Sequence, residues 1–162
     1  MYIFAKAGKQ WLQRGEKVKV KELMTQSVIP IGAGESVAVA ARTLAHYNIG
    51  ALPVCSSAGT LCGMVTDRDL VTRCVAVGKD PGKMTVREVM TGKVAWAAPD
   101  MEIGVAAHLM GRYQVRRLPV VEDGRVCGML SLADLTRNEI SAPDAADVLA
   151  DLTDNISHPD RW

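Results

Sequence analysis

Aromatic residues are scarce: three Trp, three Tyr and one Phe make up 4% of the chain. A core here must be filled by Val, Ala, Leu and Met. An excess of one charge is missing too, since 19 Lys and Arg meet 18 Asp and Glu for a formal net charge of +1. That balance argues against a broad nucleic-acid surface, which shows a clear basic excess. No apolar run reaches the length that crosses a bilayer. Between Met1 and Lys21 lie six Lys or Arg and one Glu, with no apolar stretch long enough for a signal-peptide core. The protein is therefore expected in the cytoplasm. Cys55, Cys62, Cys74 and Cys127 show no C-x-x-C spacing and no paired His after them, so buried thiols in a reducing compartment are expected and a metal site is not. His46, His108 and His158 have no arrangement that suggests a nucleophile or a metal. Helix-surface positions are expected for His46 and His108, with no catalytic residue and no enzyme.

What is present is written twice. Gly63-Met64-Val65-Thr66-Asp67-Arg68-Asp69 returns as Gly128-Met129-Leu130-Ser131-Leu132-Ala133-Asp134. Adding 66 to Val20, Glu22, Met24, Thr25, Tyr47, Leu52, Pro53 and Val54 gives Val86, Glu88, Met90, Thr91, Tyr113, Leu118, Pro119 and Val120. The offset falls to 65 after the second hairpin turn, mapping Gly63, Met64, Thr66 and Asp69 onto Gly128, Met129, Ser131 and Asp134. Agreement in order, spacing and identity marks an internal duplication. Each copy is too small to bury a sheet well, so the two are expected to pack together. An apolar fraction of 48% over 162 residues supports such a shared core.

Each copy reads alike. Short helical turns are expected at Val20–Met24 and Val86–Met90, then short strands at Val28–Ile31 and Val94–Ala97. Helices at Ser36–Tyr47 and Met101–Tyr113 carry apolar residues at helical spacing: Val37, Ala40, Ala41 and Leu44 in one, Ile103, Ala106, Ala107 and Met110 in the other. Gly34 and Asp100 are the expected caps. Strand pairs follow at Ala51–Val54 with Leu61–Val65, and at Arg117–Val121 with Val126–Leu130. Their Gly-containing loops are hairpin signals. Final helices run from Arg68 to Val77 and from Ala133 to Glu139. The boundaries are an N-terminal arm at 1–19, repeat one at 20–78, a linker at 79–85, repeat two at 86–140, and a C-terminal helix and tail at 141–162.

In each seven-residue motif a strand ends in a hydroxyl and a carboxylate three residues apart. Side by side, such groups grip a vicinal diol, because a carboxylate accepts two hydroxyl hydrogens. The same S/T-x-x-acid form is also a helix capping box.

The tandem unit, with Leu-Pro-Val before a hairpin and Gly-Met-x-(Thr/Ser)-x-x-Asp after it, resembles a pair of CBS motifs over residues 20–140. The resemblance is to small stand-alone bacterial proteins made of one such pair, a Bateman module. It implies an α+β fold: two β-α-β-β-α repeats packed about a pseudo-twofold axis with facing three-stranded sheets and two clefts between them. It implies adenosine compounds as ligands, namely AMP, ADP, ATP or S-adenosylmethionine, with no obligatory cofactor. Carried over by position, cleft one uses Thr66, Arg68 and Asp69, with Ala95 against the base. Cleft two uses Ser131 and Asp134, with Ile29 against the base. Arg116 and Arg117, which replace Gly50 and Ala51 of the first copy, are assigned to cleft two as phosphate partners, which makes cleft one the weaker site.

The expected role is a ligand-sensing regulatory module that passes a conformational signal to a regulated protein. The rival is a homodimeric interaction or scaffold protein with vestigial clefts. A homodimer is implied by the resemblance, with the apolar faces of Ser36–Tyr47 and Met101–Tyr113 as its surface; core packing competes for the same stripes. The basic N-terminal segment offers a weak nucleic-acid alternative, and no membrane partner is expected.

Overall fold

Leu-Pro-Val occurs at the centre of each repeat's sheet, and its proline shapes what surrounds it. The computed structural model describes residues 18–137 together with 146, 147, 149 and 150. The N-terminal arm lies outside the described residues except for Val18 and Lys19. The C-terminal helix and tail do so except for four helical positions at 146, 147, 149 and 150.

Repeat one folds as α1 (Val20–Leu23), β1 (Ile31–Gly32), α2 (Val37–Tyr47), β2 (Ala51–Cys55), β3 (Leu61–Thr66) and α3 (Asp67–Leu70). A π-helical segment at Val71–Val75 continues α3. Repeat two follows with α4 (Val86–Val89), α5 (Ile103–Tyr113), β4 (Arg117–Glu122), β5 (Arg125–Ser131) and α6 (Leu132–Thr136). β1 pairs parallel with β2, and β2 antiparallel with β3. β4 and β5 form the matching hairpin. It turns through Asp123 and Gly124 at φ 49° and 77°, the two positive values of a type I′ turn.

The first strand of each repeat is shorter than its sequence suggests. Only Ile31–Gly32 pairs in repeat one, and Ala97 alone bridges Val120 in repeat two. The second sheet is thus two strands plus one bridge where three strands were expected. Proline explains this. Ala97 donates to the Pro119 carbonyl at 3.0 Å and accepts from Val121 at 2.9 Å. A strand residue's N–H and C=O point to the same side, so the donor that Pro119 lacks is the one that would meet the Ala95 carbonyl. Pro53 holds the same position opposite Ile29.

The expected caps are also corrected. Ser36, not Gly34, caps α2, its hydroxyl accepting from the Val39 amide at 3.3 Å. Glu102 is the N-cap residue of α5, and Asp100 lies two residues upstream paired with Lys19 and Lys21 at 3.1 and 2.8 Å. The final helices differ in their ends: α3 starts at Asp67 and gives way to the π segment, and α6 spans Leu132–Thr136. Glu139 is outside the described residues.

Two cores form, and each borrows from the other repeat. The first joins Val37, Leu44, Leu52, Val54, Val65 and Leu70 to Val86 and Val89 of α4. The second joins Ile103, Met110, Leu118, Val120, Leu130 and Leu135 to Val20 of α1. Burial of one such valine stabilises by about 1.5–3 kcal/mol. Backbone bonds repeat the exchange. Val20 and Lys21 donate to Met101 and Pro99, each at 2.9 Å, while Val86 and Arg87 donate to Glu35 and Ala33 at 2.8 and 2.9 Å. Thr25 and Met129 exchange two bonds of 2.9 Å, and Thr91 and Met64 exchange a pair at 2.8 and 2.9 Å. These contacts follow the 66- and 65-residue offsets of the duplication and define a pseudo-twofold axis.

The stripes on α2 and α5 serve these cores. Val37, Ala40 and Leu44, and Ile103, Ala106, Ala107 and Met110, are buried; Ala41 is exposed. The apolar faces assigned to a dimer are therefore largely consumed by internal packing. His46 and His108 are exposed, and His158 is outside the described residues. Cys55 and Cys74 are buried, whereas Cys62 and Cys127 are half-buried. Burial, with the Cys62 thiol nearby, pushes the Cys55 thiol above its usual range.

Candidate functional site

Thr66 ends β3 in extended backbone and caps α3. Its hydroxyl accepts from the Asp69 amide at 3.2 Å, while Asp69 Oδ2 accepts from the Thr66 amide at 2.9 Å and from its hydroxyl at 2.7 Å. Ser131 and Asp134 repeat this, with Oδ2 at 2.8 Å from the Ser131 amide and 2.6 Å from its hydroxyl. Both motifs are thus complete capping boxes. In each, Oδ1 faces an arginine: Arg73 at 3.2 Å from Asp69, Arg137 at 3.3 Å from Asp134. A carboxylate has about four lone-pair sites, so capacity for a further donor persists at each.

Asp69 lines a cavity of about 670 Å³ walled by both repeats. From repeat one come Gly50, Ala51, Met64 and the motif Thr66–Asp69; from repeat two come Thr91, Lys93–Ala95, Tyr113–Arg117 and Pro119. Thr66, Arg68, Asp69 and Ala95, the residues assigned to cleft one, are brought together. Ile29 packs against the first core. Ser131 and Asp134 line neither this cavity nor its neighbour.

Arg116 and Arg117 line the cavity of Asp69, while their backbone stays beside the second motif: Arg117 pairs with Ser131, and the Arg116 carbonyl accepts from the Leu132 amide at 2.9 Å. The cause is the meeting of two strand starts across the axis. A Cβ on Gly50 would stand 3.2 and 3.4 Å from the two terminal nitrogens of Arg117, and 3.4 Å from Asp67 Oδ2. Gly50 carries no side chain to block the way, so the Arg117 guanidinium reaches the mouth of the first motif.

The cavity wall therefore holds four cationic side chains, Arg68, Lys93, Arg116 and Arg117, against two carboxylates, Asp67 and Asp69. By the internal offsets, their counterparts in the other repeat are Ala133, Ser27, Gly50 and Ala51. The offsets also carry Gly50 and Ala51 of this wall onto Arg116 and Arg117, so the pseudo-symmetric position keeps those two arginines and loses Arg68 and Lys93. The two clefts thus differ in charge by these two cations and by Asp67, whose counterpart is Leu132. Lys93 was not foreseen as a site residue, although its replacement of Ser27 under the same offset marks it as Arg116 and Arg117 are marked.

A second cavity of about 570 Å³ adjoins the first, sharing Lys93, Val94, Ala95 and Tyr113 and adding Trp96, Thr60 and Leu61. Trp96 and Tyr113 are exposed aromatic surfaces at this junction. No helix among the described residues is long and apolar enough to cross a membrane.

Comparison with known proteins identifies the architecture. The family model described as CBS domain matches residues 20–76 and 86–141. The chain is 37% identical over 139 residues to the CBS domain-containing protein YhcV of Bacillus subtilis, covering 86% of this chain and 95% of that protein. The crystal structure of hypoxic response protein I with two coordinated zinc ions superposes with a TM-score of 0.70 at 32% identity, over 75% of this chain and 98% of the other. A hexameric CBS-CP12 protein from bloom-forming cyanobacteria gives a TM-score of 0.68 at 27% identity, over 76% of this chain and 73% of its own. Among the described residues no group of three or more His, Cys, Asp or Glu is placed to hold a metal ion.

Proposed function

The chain belongs to the CBS-domain family, whose paired repeats are in general regulatory, ligand-binding modules, and on that premise we propose that it senses a phosphorylated adenosine compound in the cleft of Asp69. The ligand is AMP, ADP or ATP, and its binding is passed to a regulated partner as a change in how the two repeats sit together. The observation that carries this reading is one juxtaposition: a diol-accepting carboxylate and four cations share a cavity of about 670 Å³ between the repeats. Asp69 Oδ1 takes ribose hydroxyls, and Arg116, Arg117 and Lys93 take phosphate oxygens. Arginine suits phosphate because its planar fork donates two parallel bonds. The same cations oppose the sulfonium of S-adenosylmethionine, so that ligand is disfavoured here. The Asp134 cleft, where Ala133 and Ser27 stand in place of Arg68 and Lys93, is the weaker site for a nucleotide. This reverses the ranking drawn from the sequence.

Calorimetry with adenosine, AMP, ADP and ATP tests the assignment. Replacing Arg116 and Arg117 together by alanine weakens ATP binding by about 10- to 100-fold, the loss of one charge-assisted hydrogen bond or more, and changes adenosine binding little. Equal loss for both ligands contradicts the phosphate role.

A second reading, an interaction protein with vestigial clefts, draws support from the closed capping boxes: each motif carboxylate already has amide, hydroxyl and arginine partners. Assembly without nucleotide fits that reading, and a CBS-CP12 protein of similar fold is hexameric. Absence of any shift in Tm with adenosine compounds favours it, because a ligand that binds the native state raises its stability.

A further inference from the structure

We propose that Arg73 is the coupling residue that carries occupancy of the Asp69 cleft to the opposite repeat; the idea rests on the nucleotide reading above. Arg73 touches both sides of the seam. Its Nη2 lies 3.2 Å from Asp69 Oδ1, and its Nη1 donates to the Val89 carbonyl at 2.6 Å and to the Thr91 hydroxyl at 3.3 Å. Val89 ends α4, which is seated in the core of the first repeat. One guanidinium thus joins the site carboxylate to the segment that repeat two lends to repeat one.

The two carboxylate oxygens have separate duties. Oδ2 is occupied by the Thr66 amide and hydroxyl. Oδ1 is the oxygen left for a ligand hydroxyl, and it is the one Arg73 holds. A diol arriving there competes with Arg73 for Oδ1 and loosens its hold on α4. Arg73 lies in the π-helical segment Val71–Val75, a winding found often at functional sites. In repeat two, Arg137 pairs with Asp134 from three residues away and is 77% exposed, so the equivalent carboxylate is held by a surface side chain.

The test is Arg73→Lys, which keeps the charge but cannot hold Asp69 and the Val89 carbonyl in one fork. Arg73 does not line the cavity, and neither does any residue of α4. Amide exchange across α4 therefore reports coupling rather than direct cover. In the wild type, saturating ATP accelerates α4 exchange by about threefold or more, as expected when a local contact is weakened. In Arg73→Lys, calorimetry shows ATP affinity equal to the wild type or raised by up to the factor seen in exchange, since the diol no longer displaces a held arginine, while α4 exchange is already raised and no longer responds. A variant that responds as the wild type does, a variant that no longer binds ATP, or a wild type that binds without any α4 response overturns the proposal. If the wild type binds no nucleotide, the reading of the cleft fails separately. The ligand-free comparison then decides the tie itself: faster α4 exchange in Arg73→Lys supports it, and unchanged exchange overturns it.

Discussion

Gly63 and Gly128 hold the same place in the two motifs, yet their surroundings differ. A Cβ at Gly63 would lie 2.5 Å from the backbone oxygen of Thr91, in the segment that pairs with Met64. A Cβ at Gly128 would lie 2.5 Å from Met24 Sδ, the mobile end of a side chain, with the Thr25 oxygen at 3.3 Å. The glycine before each methionine is there because a backbone strand from the other repeat passes over it. Gly63→Ala must push that strand away, an overpacking cost of about 1–3 kcal/mol. Gly128→Ala is accommodated largely by a turn of Met24 and costs less than half as much. Urea unfolding of the two variants checks the order; equal losses, or a larger loss at Gly128, contradict it.

Among the elements, α4 has a pH-sensitive cap. Glu88 accepts from the Thr85 amide at 2.7 Å and from its hydroxyl at 2.8 Å. These bonds to the ionised form lower the Glu88 carboxyl below its ordinary value of 4.5. A carboxyl lowered in the folded state stabilises above its unfolded value, and that stabilisation is lost as pH falls through the folded one. Glu88→Gln is therefore less stable than the wild type at pH 7, and the two converge below pH 4, the region below the ordinary carboxyl value. A gap that is constant from pH 7 to pH 3 contradicts the cap's role. The elements themselves were readable from periodicity and turn residues: the helices at Val37–Tyr47 and Ile103–Tyr113 and both hairpins stand where the pattern puts them. The shortness of the first strands was not, because it depends on which carbonyl the missing N–H of Pro53 or Pro119 would have met. That is a matter of pairing, and periodicity along one strand carries no information about it.

As a whole molecule, the protein is two repeats each completed by the other. The duplication was legible, but its consequence for the site was not. Nothing local says that Val20 enters the second core or that Val86 and Val89 enter the first, nor that Arg117 crosses the axis over Gly50. The arginines are visible in the sequence as an asymmetry, but that they line the cavity of Asp69 depends on the packed axis. Mutual completion predicts that residues 18–85 or 80–137 expressed alone lack cooperative unfolding, since each has lost the opposite lead segment from its core; circular dichroism on thermal scans checks this, and a cooperative single repeat contradicts it. The central claim is that the cleft of Asp69, with its arginines, is the nucleotide site. Calorimetric titration of ATP into Asp69→Ala and Asp134→Ala tests it most directly. The account predicts that Asp69→Ala loses tight ATP binding while Asp134→Ala keeps wild-type affinity; loss in Asp134→Ala with retention in Asp69→Ala would contradict it.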